Sequence, residues 1–272
     1  MTVVYTVDDI DPSCTKFALF SGGNDSVVST HLAYKKHEID WTVYLDTNTG
    51  VPANTEHVKD VCDQYGWDLA ILSSPYTLRE FALGGDDRTP LGFPGPGAHS
   101  WAYNMFKERQ LGYLATRLDE RPTYYCGMRM YESDRRRHLM KGSTNEEARW
   151  TWVSPVHDWR DSAMDKYRRE HDLPTNPVAE KIGRSGDCYC GAYAHLDTEL
   201  AELEAHYPKH ADWLKDLEAD VQEIHGTDEG RWYWGFGGLS EKELRAKMAA
   251  DDMDQMALCS SCDVPSTPWS DD

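Results

Sequence analysis

The sequence predicts an α/β protein: a parallel sheet with helices on both faces, followed by a small helical, cysteine-rich C-terminal module. Three observations lead there. Short apolar or β-branched runs alternate with stretches whose apolar residues recur at helical spacing. A tight Ser21-Gly22-Gly23 turn carries the first such run straight into a helix. Two close cysteine pairs lie beyond residue 187, flanking a helical insert.

Taken in order, KFALF at 16–20 is the first strand, and DSVVSTHLAYKK at 25–36 is the amphipathic helix that follows its glycine turn. DWTVYL at 40–45 and DLAIL at 68–72 are two more strands, joined by the helical NTEHVKDVCDQYG. This βαβαβ order implies a parallel sheet, whose ligands gather at the carboxyl ends of the strands, where Ser21 and Asp46 fall. LGGDDRTPLGFPGPGAHS at 83–100 is dense in glycine and proline and reads as a long loop, either a lid or mobile. TYYCG at 123–127 is the fourth strand, and the chain after LPTNP begins a second unit, giving a boundary near 180: 1–180 forms the sheet-bearing domain and 181–272 the cysteine module. There LDTELAELEAHYP and ADWLKDLEADVQEIHG read as a helical pair, and the tail DVPSTPWSDD reads as disordered.

The 272 residues carry a formal charge of −19, spread along the chain. Such an excess reads as an acidic surface kept hydrated in high salt, a halophilic trait, in preference to an ordinary acidic cytosolic protein. It disfavours loose nucleic-acid binding through the whole surface, although a local basic patch for a nucleic-acid acceptor stays compatible with it. No stretch has the character of a signal peptide or the length of a membrane span, so the expected location is cytoplasmic, with no membrane partner. Seven cysteines in such a protein point to metal or redox chemistry rather than a disulfide framework.

The turn Ser21-Gly22-Gly23-Asn24-Asp25-Ser26 offers backbone N–H groups at a helix start together with hydroxyl and amide side chains, a cradle suited to an anion. Neither the Walker spacing nor the dinucleotide G-x-G-x-x-G is present here. At the second strand end, Asp46 could hold Mg²⁺ or a ribose hydroxyl, or simply cap a turn. Gly127 permits close backbone approach after the fourth strand, and Arg129, Arg135, Arg136 and Arg137 concentrate positive charge. The pairs Cys188-Tyr189-Cys190 and Cys259-Ser260-Ser261-Cys262 could converge on one tetrahedral thiolate site, which either zinc or an iron–sulfur cluster accepts. Cys62 and Cys126 are most simply core residues, while Cys14 carries no assignment.

These motifs together resemble the phosphoadenosine phosphosulfate (PAPS) reductase-like family of the PP-loop ATP pyrophosphatases, with a Rossmann-like, adenine nucleotide alpha hydrolase-like fold. Ser21 to Ser26 resembles the family's SGGxDS loop; Asp46 and Thr47 resemble its D-T-G segment, with Thr47-Asn48 inserted before Thr49-Gly50. Gly127-x-Arg129-x-x-Glu132-Ser133-x-x-Arg136 resembles G-x-R-x-x-E-S-x-x-R, and 154–178 resembles a block that ends in L-P-x-N-P and supplies a buried Trp159. The resemblance implies that the loop holds the β,γ-pyrophosphate of ATP, that Asp25 orients the loop or Mg²⁺, and that Arg129 and Arg136 stabilise charge on phosphate. It also implies nucleotide roles for Asp46 and Thr47, and places Lys107 facing the nucleotide in a stretch similar to W-C-T-x-x-L-K that lacks its cysteine. Among metals it favours a [4Fe–4S] cluster on Cys188, Cys190, Cys259 and Cys262, with zinc as the alternative.

The loop is intact and no C-terminal E-C-G-L-H segment follows, which points within the family to an ATP-dependent adenylating sulfurtransferase, the branch judged nearest, releasing AMP and pyrophosphate. Its partners would be an adenine nucleotide and a sulfur-donor protein or thiol reductant; a homodimer is also compatible. A PAPS or adenosine phosphosulfate reductase is the alternative enzyme, and a nucleotide-binding module with a structural zinc is the alternative of another class.

Overall fold

A computed structural model describes residues 4–84, 90–131, 142–194, 196–239 and 242–249. One mixed sheet of seven strands organises them: β1 (Val4–Tyr5), β2 (Lys16–Leu19), β3 (Trp41–Asp46), β4 (Leu69–Ser73), β5 (Thr123–Tyr125), β6 (Thr144–Glu146) and β7 (Thr151–Val153). Their spatial order is β1-β4-β3-β2-β5-β7-β6, with every neighbouring pair parallel except β6 against β7. The four strands expected from sequence form, and the added three are short outer strands. Strand β2 pairs with β3 through Phe17↔Trp41 and with β5 through Phe17↔Tyr124, so the order reverses at β2 and opens a crevice at its carboxyl end.

Helices cover both faces. α1 (Asn24–Lys36) and α2 (Pro52–Tyr65) bury Val27, Val28, Leu32, Val58, Val61 and Cys62 against Phe20 and Tyr44. α2 starts with Pro52 at its first position and stops at Gly66, whose backbone is left-handed. After α3 (Leu78–Leu83), the described part of the glycine- and proline-rich stretch leads through a 3₁₀ turn into α4 (His99–Tyr103). A π-turn, Asn104–Glu108, then passes into α5 (Arg109–Ala115); the Arg109 N–H donates to the Asn104 carbonyl, five residues back. Leu111 and Leu114 of α5 pack with Phe17, Val43, Tyr124, Trp150 and Trp152 on the second face of the sheet.

Beyond the sheet come α6 (Asp161–Glu170), α7 (Pro177–Ile182), α8 (Leu196–His206) and α9 (Pro208–His225), with a further helix over 242–249. The expected helical pair is α8 and α9, separated by Tyr207 alone. A third core joins Val51, Leu78, Phe81, Ala102 and Phe106 to Val178, Tyr189, Leu203, Leu214, Leu217 and Trp234, drawing on residues from both sides of position 180. Trp159, expected to be buried, is only half-buried and lies edge-on to Tyr167 at 5.5 Å. Among the described residues, no helix is long and apolar enough to cross a membrane.

Candidate active site

The loop from Ser21 to Ser26 leaves β2 at the crevice and starts α1. Gly22 has φ +82, and a Cβ there would lie 2.4 Å from the Asn54 side-chain oxygen, so this position excludes any larger residue. Ser26 Oγ donates to the Gly23 carbonyl at 2.8 Å, and Ser21 Oγ donates to Ser26 Oγ at 3.1 Å. Gly23 is the N-cap of α1. The first N–H groups of the helix therefore have no acceptor within it.

Asp25 and Arg129, far apart in sequence, meet beside this loop. Arg129 Nε and Nη2 both donate to Asp25 Oδ2, at 3.0 and 2.5 Å. Its Nη1 donates to Asp161 Oδ1 at 2.8 Å and to the Trp159 carbonyl at 3.3 Å. The Arg129 side chain is 4% exposed against 35% for Asp25. Burial opposes the guanidinium charge, but Asp25 and Asp161 outweigh it and raise the Arg129 pKa. Gly127 provides the close approach expected of it: a Cβ there would sit 3.3 Å from Ser26 Cα. Arg136 lies outside the described residues, as do Cys259 and Cys262.

The first cysteine pair is carried on a segment that lies beside the Ser21–Ser26 loop. Val51 N–H donates to the Gly186 carbonyl at 2.8 Å, and a Cβ on Gly23 would touch Ser185 Cβ at 3.5 Å. Thr49 Oγ1 accepts from the Tyr189 N–H at 3.0 Å and donates to Cys188 Sγ at 3.5 Å. Thr47 is fully buried, with its hydroxyl donating to the Asp187 carbonyl at 3.0 Å. It thus faces the cysteine segment. Asp46 accepts from the Asn48 N–H at 2.9 Å and caps the turn.

Lys107, carried on the π-turn, points its Nζ at Asp187 Oδ2, 2.7 Å away. Burial works against both charges, yet their mutual attraction prevails: Asp187 is held down at about 2 and Lys107 is raised. A hydrogen bond from the Cys190 thiol, followed by the Lys107 charge, overcomes burial and draws Cys188 well below the usual thiol range; the same bond and burial push Cys190 up. Lys107, Asp187, Cys188 and Cys190 line a cavity of about 250 Å³ with Arg184 and Tyr193. Arg184 pairs with Glu199 of α8. Among the described residues no three His, Cys, Asp or Glu side chains gather as a metal site. Cys62 and Cys126 are buried as expected of core residues.

Sequence reasoning passed over Asn54 and Asn176, both fully buried against the loop. Asn176 lies in the L-P-x-N-P block, and an Asn directly before a proline at a helix start is an N-cap signal; its oxygen accepts from Val178 N–H at 2.7 Å. Asn54 gave no signal, because it occupies an ordinary helical position. Asp187 likewise is separated from Lys107 by 80 positions.

The profile of the phosphoadenosine phosphosulfate reductase domain matches residues 15–192. An uncharacterised protein of Methanocaldococcus jannaschii is 26% identical over 242 residues, which cover 84% of this chain and 52% of that protein. The chain thus spans about half the length of the curated relative it matches. Among solved structures, PAPS reductase from Candida auris in a phosphate complex is 16% identical, with a TM-score of 0.45, covering 64% of this chain and 79% of that one. The U34-tRNA thiolase NcsA from Methanococcus maripaludis with its [4Fe-4S] cluster is 14% identical, with a TM-score of 0.39, covering 80% and 75%. With two-thirds of its length matched by one family profile, the chain belongs to the phosphoadenosine phosphosulfate reductase domain family.

Proposed function

We propose that this protein binds ATP through Ser21–Ser26, adenylates an acceptor oxygen with release of pyrophosphate, and frees AMP when sulfur from a donor protein or thiol, passed at the adjoining cysteines, displaces the adenylated oxygen. The observation that carries this reading is that the segment bearing Cys188 and Cys190 lies beside the loop, Ser185 against Gly23 and Cys188 against Thr49 of the neighbouring β3–α2 turn. The N–H groups of Gly22, Gly23 and Asn24, with the Ser21 and Ser26 hydroxyls, would bind the pyrophosphate, the nucleotide arriving as its Mg²⁺ complex. Asp25 orients Arg129, whose charge lies beside the developing negative charge. Arg136 would add to it from outside the described residues.

The donor chemistry of the described pair, one thiol drawn down and beside a lysine, suits a soft metal. Cys188 and Cys190 with Cys259 and Cys262 would hold a [4Fe–4S] cluster, or zinc in its place. When bound, such a cluster would supply a soft, redox-capable centre next to the nucleotide.

The test is pyrophosphate release from ATP by the anaerobically purified protein in the presence of candidate acceptors. Release is expected, and Asp25→Ala should abolish it while leaving metal and acid-labile sulfide content unchanged. Sulfite release from a sulfonucleotide with a thiol donor, and none of pyrophosphate, would make the protein a reductase instead. Tight ATP binding without either product would reduce it to a binding module.

A further inference from the structure

The loop's shape is set from behind by two buried side-chain amides. Asn54 Nδ2 donates to the Ser21 carbonyl at 3.0 Å, and Asn176 Nδ2 donates to the Gly22 carbonyl at 2.8 Å. The two amides are themselves joined, Asn176 Nδ2 donating to Asn54 Oδ1 at 2.8 Å. Both residues have no exposed surface. In a trans peptide the carbonyl and the following N–H point in opposite directions. Holding the Ser21 carbonyl therefore aims the Gly22 N–H the other way, and holding the Gly22 carbonyl aims that of Gly23. A flip of either peptide exchanges the buried amide's hydrogen bond to the loop for a longer contact, 3.3 Å to the Tyr44 hydroxyl for Asn54 and 3.3 Å to the Ser185 carbonyl for Asn176, which is costly in a dry environment.

Asn176 reaches further. Its backbone N–H donates to Asn24 Oδ1 at 3.1 Å, its Oδ1 caps α7, and its Nδ2 also lies 3.3 Å from the Ser185 carbonyl at the start of the cysteine segment. One side chain thus touches the anion loop, the helix beneath it and the strap that carries the thiols.

We propose that Asn54 and Asn176 are positioning residues that keep the Gly22 and Gly23 N–H groups directed at the bound anion. The proposal rests on the reading of Ser21–Ser26 as a pyrophosphate loop. Asn176→Asp separates the two duties of this side chain, because aspartate keeps the oxygen that caps α7 and lacks the amide donor that holds Gly22. Aspartate also sets a carboxylate oxygen against the Gly22 and Ser185 carbonyls and the Asn54 Oδ1, which lowers stability in any case; a purely structural capping role still leaves the Gly23 amide shift of this variant intact.

The experiment titrates inorganic pyrophosphate into full-length wild type, Asn176→Asp and Asn54→Asp, following affinity by calorimetry and the glycine amide resonances by NMR, with thermal unfolding alongside. Wild type is expected to bind and to shift both the Gly22 and Gly23 amides. Asn176→Asp should lose at least tenfold in affinity and lose the Gly23 shift; Asn54→Asp should lose that of Gly22. A folded Asn176→Asp that binds as wild type, with both shifts intact, overturns the proposal. If that variant does not fold, the Asn54→Asp result decides by the same criterion. Absence of binding by wild type itself overturns the pyrophosphate reading and the proposal with it, an outcome distinct from any variant effect.

Discussion

At the scale of single residues, the loop tolerates little. Gly22→Ala would force a left-handed backbone on a residue with a Cβ, costing about 1–2 kcal/mol, and would drive that carbon into the Asn54 amide. The expected outcome is loss of ATP and pyrophosphate binding with only a modest fall in unfolding temperature, measured by calorimetry and thermal melts on the same samples. Sequence made Gly22, Asp25 and Gly127 legible because backbone freedom and helix-start chemistry leave local signatures. It left the partners of Asp25 and Lys107 illegible from the residues themselves, since an ion pair between positions 104 or 80 apart has no local signature. The resemblance to a D-T-G segment implied a nucleotide role for Thr47, whose hydroxyl donates to the Asp187 carbonyl.

At the scale of elements, the strap from Arg184 to Cys190 is held to the β3–α2 turn by backbone and hydroxyl contacts as well as by the core that Val51 shares with Tyr189. Thr49 is the central tie. Thr49→Val would leave the buried Tyr189 N–H without its acceptor, an expected loss of roughly 1–3 kcal/mol in thermal or denaturant unfolding. The same change removes the hydroxyl that donates to Cys188, so alkylation of the metal-free protein near neutral pH should slow. The main strands and helices were readable because their apolar periods are strong. β1, β6 and β7 were not, being two or three residues long and placed by pairing with neighbours rather than by their own pattern.

At the scale of the whole molecule, two half-hidden histidines couple stability to pH. Burial, helped by the charges of His171 and Lys35, lowers His31 to about 4; burial also lowers His210 to about 4, against a backbone hydrogen bond at Thr49. A folded-state pKa below the unfolded value means that the unfolded chain binds more protons between about pH 6.5 and 4. Stability is therefore full above that window and lost as pH falls through it. Unfolding temperature should drop on acidification from pH 7 to 4, and the double variant His31→Gln, His210→Gln should flatten that slope; an unchanged slope would remove these histidines as the cause. The α/β class was legible along the whole chain. The third core was not, because its apolar residues come from α3, α4 and the C-terminal helices, each of which alone reads as an ordinary amphipathic stretch.

The helical rod from α4 through α5 serves two cores, Ala102 and Phe106 in one and Leu111 and Leu114 in the other. Within each pair the spacing is four or three residues, the ordinary step along one helical stripe; between Phe106 and Leu111 it is five. A regular helix advances about 100° per residue, so a step of five would throw the second pair well out of line with the first. The π-turn overlaps that step, where the rod passes from one core to the other. Lys107 sits within this turn, so the lysine that reaches Asp187 stands where the helix is out of regular register.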